Sequence, residues 1–80
     1  VVIIGSDGVS DVMPSGVEGL VNPLHELVLV GLGMPILDNL DLETLAQISS
    51  EQKRVTFLYV GAPLRVPGGT GSPLNPLAVF

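Results

Sequence analysis

Asn22-Pro23-Leu24-His25-Glu26-Leu27-Val28-Leu29-Val30-Gly31-Leu32-Gly33-Met34-Pro35-Ile36-Leu37-Asp38 is the stretch on which the reading of the fold turns. An Asn side chain accepts hydrogen bonds from free backbone donors at a helix start, and proline suits the first helical position. Glu26 falls in the first turn, where negative charge favours the helix dipole. The pattern predicts a helix through Val30, with Gly31 and Gly33 as its stop. Apolar residues go most of the way round it, so burial on several sides is expected. Met34 to Leu37 then reads as a short strand closed by Asp38-Asn39.

Before this stretch, Val1 to Ile4 is a β-branched run ending at Gly5, the pattern of a strand covered on both faces. Ser6 to Val21 is a long loop of Gly, Ser, Asp and Pro. Its apolar residues (Val9, Val12, Met13, Val17, Leu20) point to a packed loop. After the stretch, Asp41 reads as the cap of a second short helix carrying Leu42, Leu45, Ala46 and Ile48, followed by a polar link from Ser49 to Arg54. Val55 to Val66 is the strongest strand pattern in the chain, weakened from Pro63 onward. Gly68 to Gly71 is a turn, and Leu74 to Phe80 resumes extended structure. The predicted class is α/β, in the order β-α-β-α-β-β.

Composition sets the surroundings. The 80 residues are 46% hydrophobic and only 14% charged, against about 25% charged in ordinary domains. Much of so apolar a chain should be covered by missing polypeptide, by a second copy, or by both, which makes a homo-oligomer the expectation. No apolar run approaches the roughly 18 residues of a spanning helix, so no membrane partner is expected. The net charge is −5, with Lys53, Arg54 and Arg65 as the sole cations. That argues against nucleic acid, whose phosphates need clustered Lys and Arg. Without cysteine, neither a disulfide framework nor a thiolate metal site is available. The chain opens inside an apolar run without an initiator methionine, so residues 1–80 read as one partial domain, a C-terminal piece. A cytoplasmic location is expected, with secretion left open.

Few residues carry chemistry. His25 is the only histidine. Alone, a histidine near the start of an apolar helix is more often a packed residue with a satisfied hydrogen bond. Against that stand imidazole's fitness for proton transfer or metal ligation near neutral pH and the carboxylate Asp38 closing the next strand. A first-turn residue and a strand-end residue can converge where α/β units bind ligands. One histidine and one carboxylate fall short of the three ligands of a catalytic metal. Asp7 and Asp11 flank the first loop and read more readily as turn caps. Ser10, Ser15 and Ser72 lack a nucleophile elbow. Gly68-Gly69-Thr70-Gly71-Ser72-Pro73 matches neither phosphate fingerprint and reads as a structural turn.

Three segments in order nevertheless resemble a known family. Pro23 to Leu40 is similar to the stretch of cyclase and kynurenine formamidase-like hydrolases in which a histidine opens a helix, the helix ends at Gly, and a short strand leads to an acidic residue followed by Asn-Leu. Ala62-Pro63-Leu64-Arg65-Val66 and Gly68 to Pro76 resemble that family's closing pattern. The resemblance implies the C-terminal part of a swivelling β/β/α domain in a metal-dependent hydrolase, using zinc or manganese on amide or cyclic amide bonds. It implies further that the principal metal motif, His-x-Gly-Thr-His-x-Asp, lies upstream of the matched region, on polypeptide absent from this chain. His25 then corresponds to the family's late histidine, a second-site metal ligand or proton-transfer group. Asp38 stands where glutamate is usual, which shortens the arm and puts a second metal in doubt.

On that resemblance His25 and Asp38 are the expected catalytic pair and the expected second-site metal ligands. The expected ligand is a small-molecule amide. The alternative is a non-catalytic binding or assembly module that keeps the fold without the chemistry.

Overall fold

The computed structural model describes residues 1–80, a mixed helix and strand structure with two small sheets. Its contacts cluster into two units, Val1–Thr44 and Leu45–Phe80.

In the first unit, β1 (Ile4–Gly5) pairs in parallel with β2 (Ile36–Leu37), Ile4 opposite Ile36 and Gly5 opposite Leu37. The pairing continues past both strands. Ile4 N–H donates to the Pro35 carbonyl, Ser6 N–H to Leu37, Leu40 N–H to Ser6 and Asn39 N–H to Gly8, at 2.9–3.2 Å. Asn39 takes a positive φ of 55° to turn into this lacing, a conformation asparagine tolerates better than most residues. The lacing is close. A Cβ on Gly5 would stand 2.7 Å from Leu40 Cδ1, so glycine lets the chains approach.

Between the strands, α1 (Pro23–His25) runs directly into a π-helical segment, Glu26–Gly31. Leu32 N–H closes it on the Leu27 carbonyl at 2.9 Å. Gly33, at φ 62°, then lets Met34 N–H reach the Val28 carbonyl. Glycine adopts this left-handed geometry without penalty, so it ends the helix where the sequence places the stop.

Helix α2 (Glu43–Gln52) starts at the end of the first unit and runs on into the second; it begins beside Asp41, whose carboxylate accepts from Glu43 N–H at 3.2 Å. Lys53 ends it at φ 49°. β3 (Leu58–Val60) pairs antiparallel with β4 (Leu77–Val79), Tyr59 opposite Ala78. Just past the Leu58–Val79 pair, Phe57 and Phe80 pack at a 42° tilt with centroids 5.4 Å apart, and the Arg54 guanidinium lies 6.0 Å from the Phe80 ring. No helix is long and apolar enough to cross a membrane.

Several sequence expectations need correction. The first strand keeps only Ile4 and Gly5, and Val1 and Val2 are exposed. A β-branched run extends as strand only where partners continue beside it, and β2 offers two residues. The strand expected over Val55–Val66 shrinks to three residues for the same reason. The second helix runs on to Gln52 through the expected polar link, supported by a Gln47–Glu51 side-chain bond at 2.8 Å. Around the first helix only Val28 is buried, while Leu27, Leu29 and Val30 face outward. The apolar residues of the Ser6–Val21 loop are exposed too, and the residue buried in that loop is the charged Asp11.

Val28 is thus the one fully enclosed apolar side chain. Val28→Ala should lower stability by about 1.5–3 kcal/mol, whereas exposed Val30→Ala should stay within about 0.5 kcal/mol of the parent. Urea unfolding of the two variants checks the contrast.

Candidate functional site

The backbone lacing of residues 4–8 to 35–40 carries Asp38 to the end of β2 and brings the following loop against it. Ser10 seizes Asp38 there. Its N–H donates to Asp38 Oδ1 at 2.9 Å and its hydroxyl donates to the same oxygen at 2.5 Å. Asp38 Oδ2 is left to His25, whose Nε2 stands 2.8 Å away.

The next loop residue holds the other side of the ring. Asp11 Oδ1 accepts from Leu24 N–H at 2.8 Å. Asp11 Oδ2 accepts from His25 N–H at 3.0 Å and lies 2.6 Å from His25 Nδ1. Pro23 has no N–H, so Asp11 satisfies the next two free donors of the helix start. Asn22, at the cap position, makes no side-chain cap bond. The helix is capped from thirteen residues away in sequence, by a side chain the local pattern does not point to.

An ionised carboxylate only accepts hydrogen bonds. Carboxylates on both ring nitrogens therefore specify a doubly protonated, positive imidazole. The bonds to Asp11 and then Asp38 raise the His25 pKa above its ordinary 6.5, outweighing partial desolvation. Burial pushes the Asp11 carboxyl upward, but the backbone and ring donors of His25 and the Leu24 N–H prevail and hold it below its ordinary 3.8. Asp38 is also lowered, chiefly by the Ser10 hydroxyl, against a desolvation that opposes it.

The two carboxylates are not equivalent. The Asp11 side chain is 4% exposed, that of Asp38 24%, and the imidazole between them 26%. The Asp11 end is closed and the Asp38 end faces outward.

The structure thus brings together the two residues the sequence singled out, His25 and Asp38. It adds Ser10 and Asp11, which sequence reasoning weighed as a remote nucleophile candidate and a turn cap. Ser10 is no triad serine here, because its hydroxyl donates to a carboxylate and contacts no imidazole nitrogen. No local signal marks Asp11, which lies thirteen residues before the Leu24 N–H it accepts. Asp7 joins none of these bonds. Ser72 accepts from Leu64 N–H at 3.0 Å and Ser15 from Val17 N–H at 3.0 Å, both as turn supports.

No group of three or more His, Cys, Asp or Glu side chains is arranged to hold a metal ion. His25 shares one feature with metal-ligating imidazoles, which typically give their other N–H to a carboxylate, as His25 Nδ1 does to Asp11. The 2.8 Å between Nε2 and Asp38 Oδ2 is a hydrogen-bond distance, shorter than the roughly 3.3 Å between two ligands of a tetrahedral zinc. The chain supplies two donors, one fewer than a catalytic site needs.

Compared with family models, with curated proteins and with solved structures, the chain matches none.

The charge network predicts a stability plateau. His25, raised above 6.5, contributes fully below that pH and loses its contribution as pH rises through its folded value. Asp11 and Asp38, lowered below 3.8, contribute above that pH and lose their contribution as pH falls through their folded values. The first unit should be most stable between about pH 4 and 6.5 and weaken on both flanks. Unfolding midpoints measured from pH 2 to 9 check this, and Asp11→Asn should flatten both limbs.

Proposed function

We propose that this chain supplies the acid–base face of a metal-dependent hydrolase acting on amide or cyclic amide bonds, similar to the cyclase and kynurenine formamidase family. In this reading it forms the C-terminal part of a swivelling β/β/α domain, and the principal metal ligands belong to polypeptide outside these 80 residues. One observation carries the reading: His25 and Asp38, thirteen residues apart, meet at 2.8 Å, both partly exposed. That is the pair that the resemblance to the family singles out.

A bound zinc or manganese ion would lower the pKa of its water and polarise the scissile carbonyl. For a second ion this chain would offer His25 Nε2 and Asp38 Oδ2, and only in place of the proton between them. The other work falls to the chain's own groups. Breaking an amide requires a proton on the departing nitrogen, and His25 carries one at Nε2, on the open side. Asp38 fixes the direction of that N–H and compensates the imidazolium charge. Ser10 holds Asp38 by Oδ1, so Oδ2 stays aimed at the ring. A group of this kind contributes about 10²–10⁴-fold when its pKa lies near the working pH.

The exposed apolar residues support the further reading that the rest of the polypeptide or a second copy covers this chain. Leu58, Val60, Leu77 and Val79 of the β3–β4 ribbon are all exposed, and a two-stranded ribbon is marginal by itself in water.

His25→Ala in the complete gene product should reduce kcat for an aryl formamide or cyclic amide by about 10²–10⁴-fold, with the bound metal retained. Steady-state kinetics beside metal analysis checks it. An unchanged kcat would remove His25 from the reaction. A complete product that binds no divalent cation by calorimetry would favour the binding or assembly module instead.

A further inference from the structure

Asp11 lies outside the pair named above, yet its carboxylate makes three bonds, as many as that of Asp38, and two of them go to His25. Its two oxygens take Leu24 N–H, His25 N–H and His25 Nδ1. Oδ2 binds the backbone and the ring of one residue, so it fixes the His25 side chain relative to its own main chain. The 2.6 Å bond at Nδ1 is shorter than the 2.8 Å bond at Nε2. Its acceptor is also almost wholly enclosed, where a lost partner could not be replaced by water. Asp38 is partly solvated, and water can take over its role.

We propose that Asp11 is the positioning residue of the site: it reserves Nδ1–H of His25 for itself and so leaves Nε2, bonded to the partly exposed Asp38, as the one ring nitrogen that can exchange its partner for substrate or metal. Asp11 touches neither and acts through the imidazole. The assignment rests on the hydrolase reading for its catalytic consequence, while its structural half stands on the hydrogen bonds alone.

When the imidazole is neutral, one nitrogen must give up its proton. The enclosed carboxylate keeps Nδ1 protonated, because an unprotonated Nδ1 would set a lone pair against a buried anion. The neutral ring is then the Nδ1–H tautomer, with a free lone pair at Nε2. Alanine in place of Asp11 reverses this. With no carboxylate at Nδ1, Asp38 Oδ2 is the one carboxylate oxygen left on the ring, and as an acceptor it favours the Nε2–H tautomer.

The test labels histidine with 15N in the complete gene product and assigns the His25 ring by the signals lost in His25→Ala. Ring 15N shifts are recorded above the titration of the imidazole. The parent should show Nδ1–H, Asp11→Ala should show Nε2–H, and Asp38→Ala should keep Nδ1–H. In parallel, Asp11→Ala should lower kcat about 10–100-fold with KM little changed. A ring that stays Nδ1–H in Asp11→Ala overturns the proposal, as does one that switches in Asp38→Ala. A parent ring that shows Nε2–H overturns it even if Asp11→Ala fails to fold. A switched ring with parental kcat and KM also overturns it, since Asp11 would then position nothing the reaction uses. Failure of the hydrolase reading looks different: His25→Ala itself would keep parental kcat.

Discussion

An imidazolium held between two carboxylates is the interaction on which the first unit depends. It joins three stretches by one side chain, beside the backbone bonds that lace the loop to residues 37–40: the Ser6–Val21 loop through Asp11, the helix start through His25, and the end of β2 through Asp38. A carboxylate as enclosed as Asp11 is costly to bury unless its lone pairs are taken. Here two main-chain donors and one ring donor take them, and no buried side-chain polar atom lacks a partner. The surrounding loop shows its apolar residues to solvent. Its course is therefore set by polar bonds at Ser10 and Asp11 rather than by apolar burial.

That division explains what was legible in the sequence. The helix at Pro23, its glycine stop and the Asp41 cap are local grammar, decided within a few residues, and each is found where the pattern puts it. The meeting of His25 with Asp38 was legible too, because a short helix-to-strand connection leaves little freedom. Strand lengths were not. Val1–Ile4 and Val55–Val66 have the composition of strands, but a strand extends only as far as a neighbour runs beside it, and that depends on residues elsewhere. Asp11 was hidden for a related reason. Its role exists only once the β1–β2 lacing has turned the loop back onto the helix, and nothing within a few residues of Asp11 signals it. The local cap candidate, Asn22, was the misleading one, since its side chain makes no cap bond.

The same geometry gives the two carboxylates different work from nearly identical chemistry. Each is ionised and each meets one ring nitrogen. Asp11 is enclosed and bound to main chain, so it cannot move without unfastening the helix start. Asp38 is tied by a single oxygen to Ser10, and its other oxygen stands with Nε2 at the open side. Rigidity behind the ring and freedom in front of it are what a group needs if it is to pass a proton in one direction.

The open edge also sets a competition. Nε2 and Asp38 Oδ2 now share a proton across 2.8 Å, and a divalent cation taking both donors would have to displace it. Ligands bind metal in their deprotonated forms, so cation binding at such an edge releases a proton and strengthens as pH rises. The bonds that raise the affinity of His25 for that proton therefore weaken its affinity for metal near neutrality. Asp11 acts in both directions: it favours the imidazolium over the neutral ring, yet once the ring is neutral it leaves the correct nitrogen bare. Two donors in balance between a proton and a cation make a poor permanent anchor. Under the proposed hydrolase reading they suit a face that moves protons beside a metal held by other ligands.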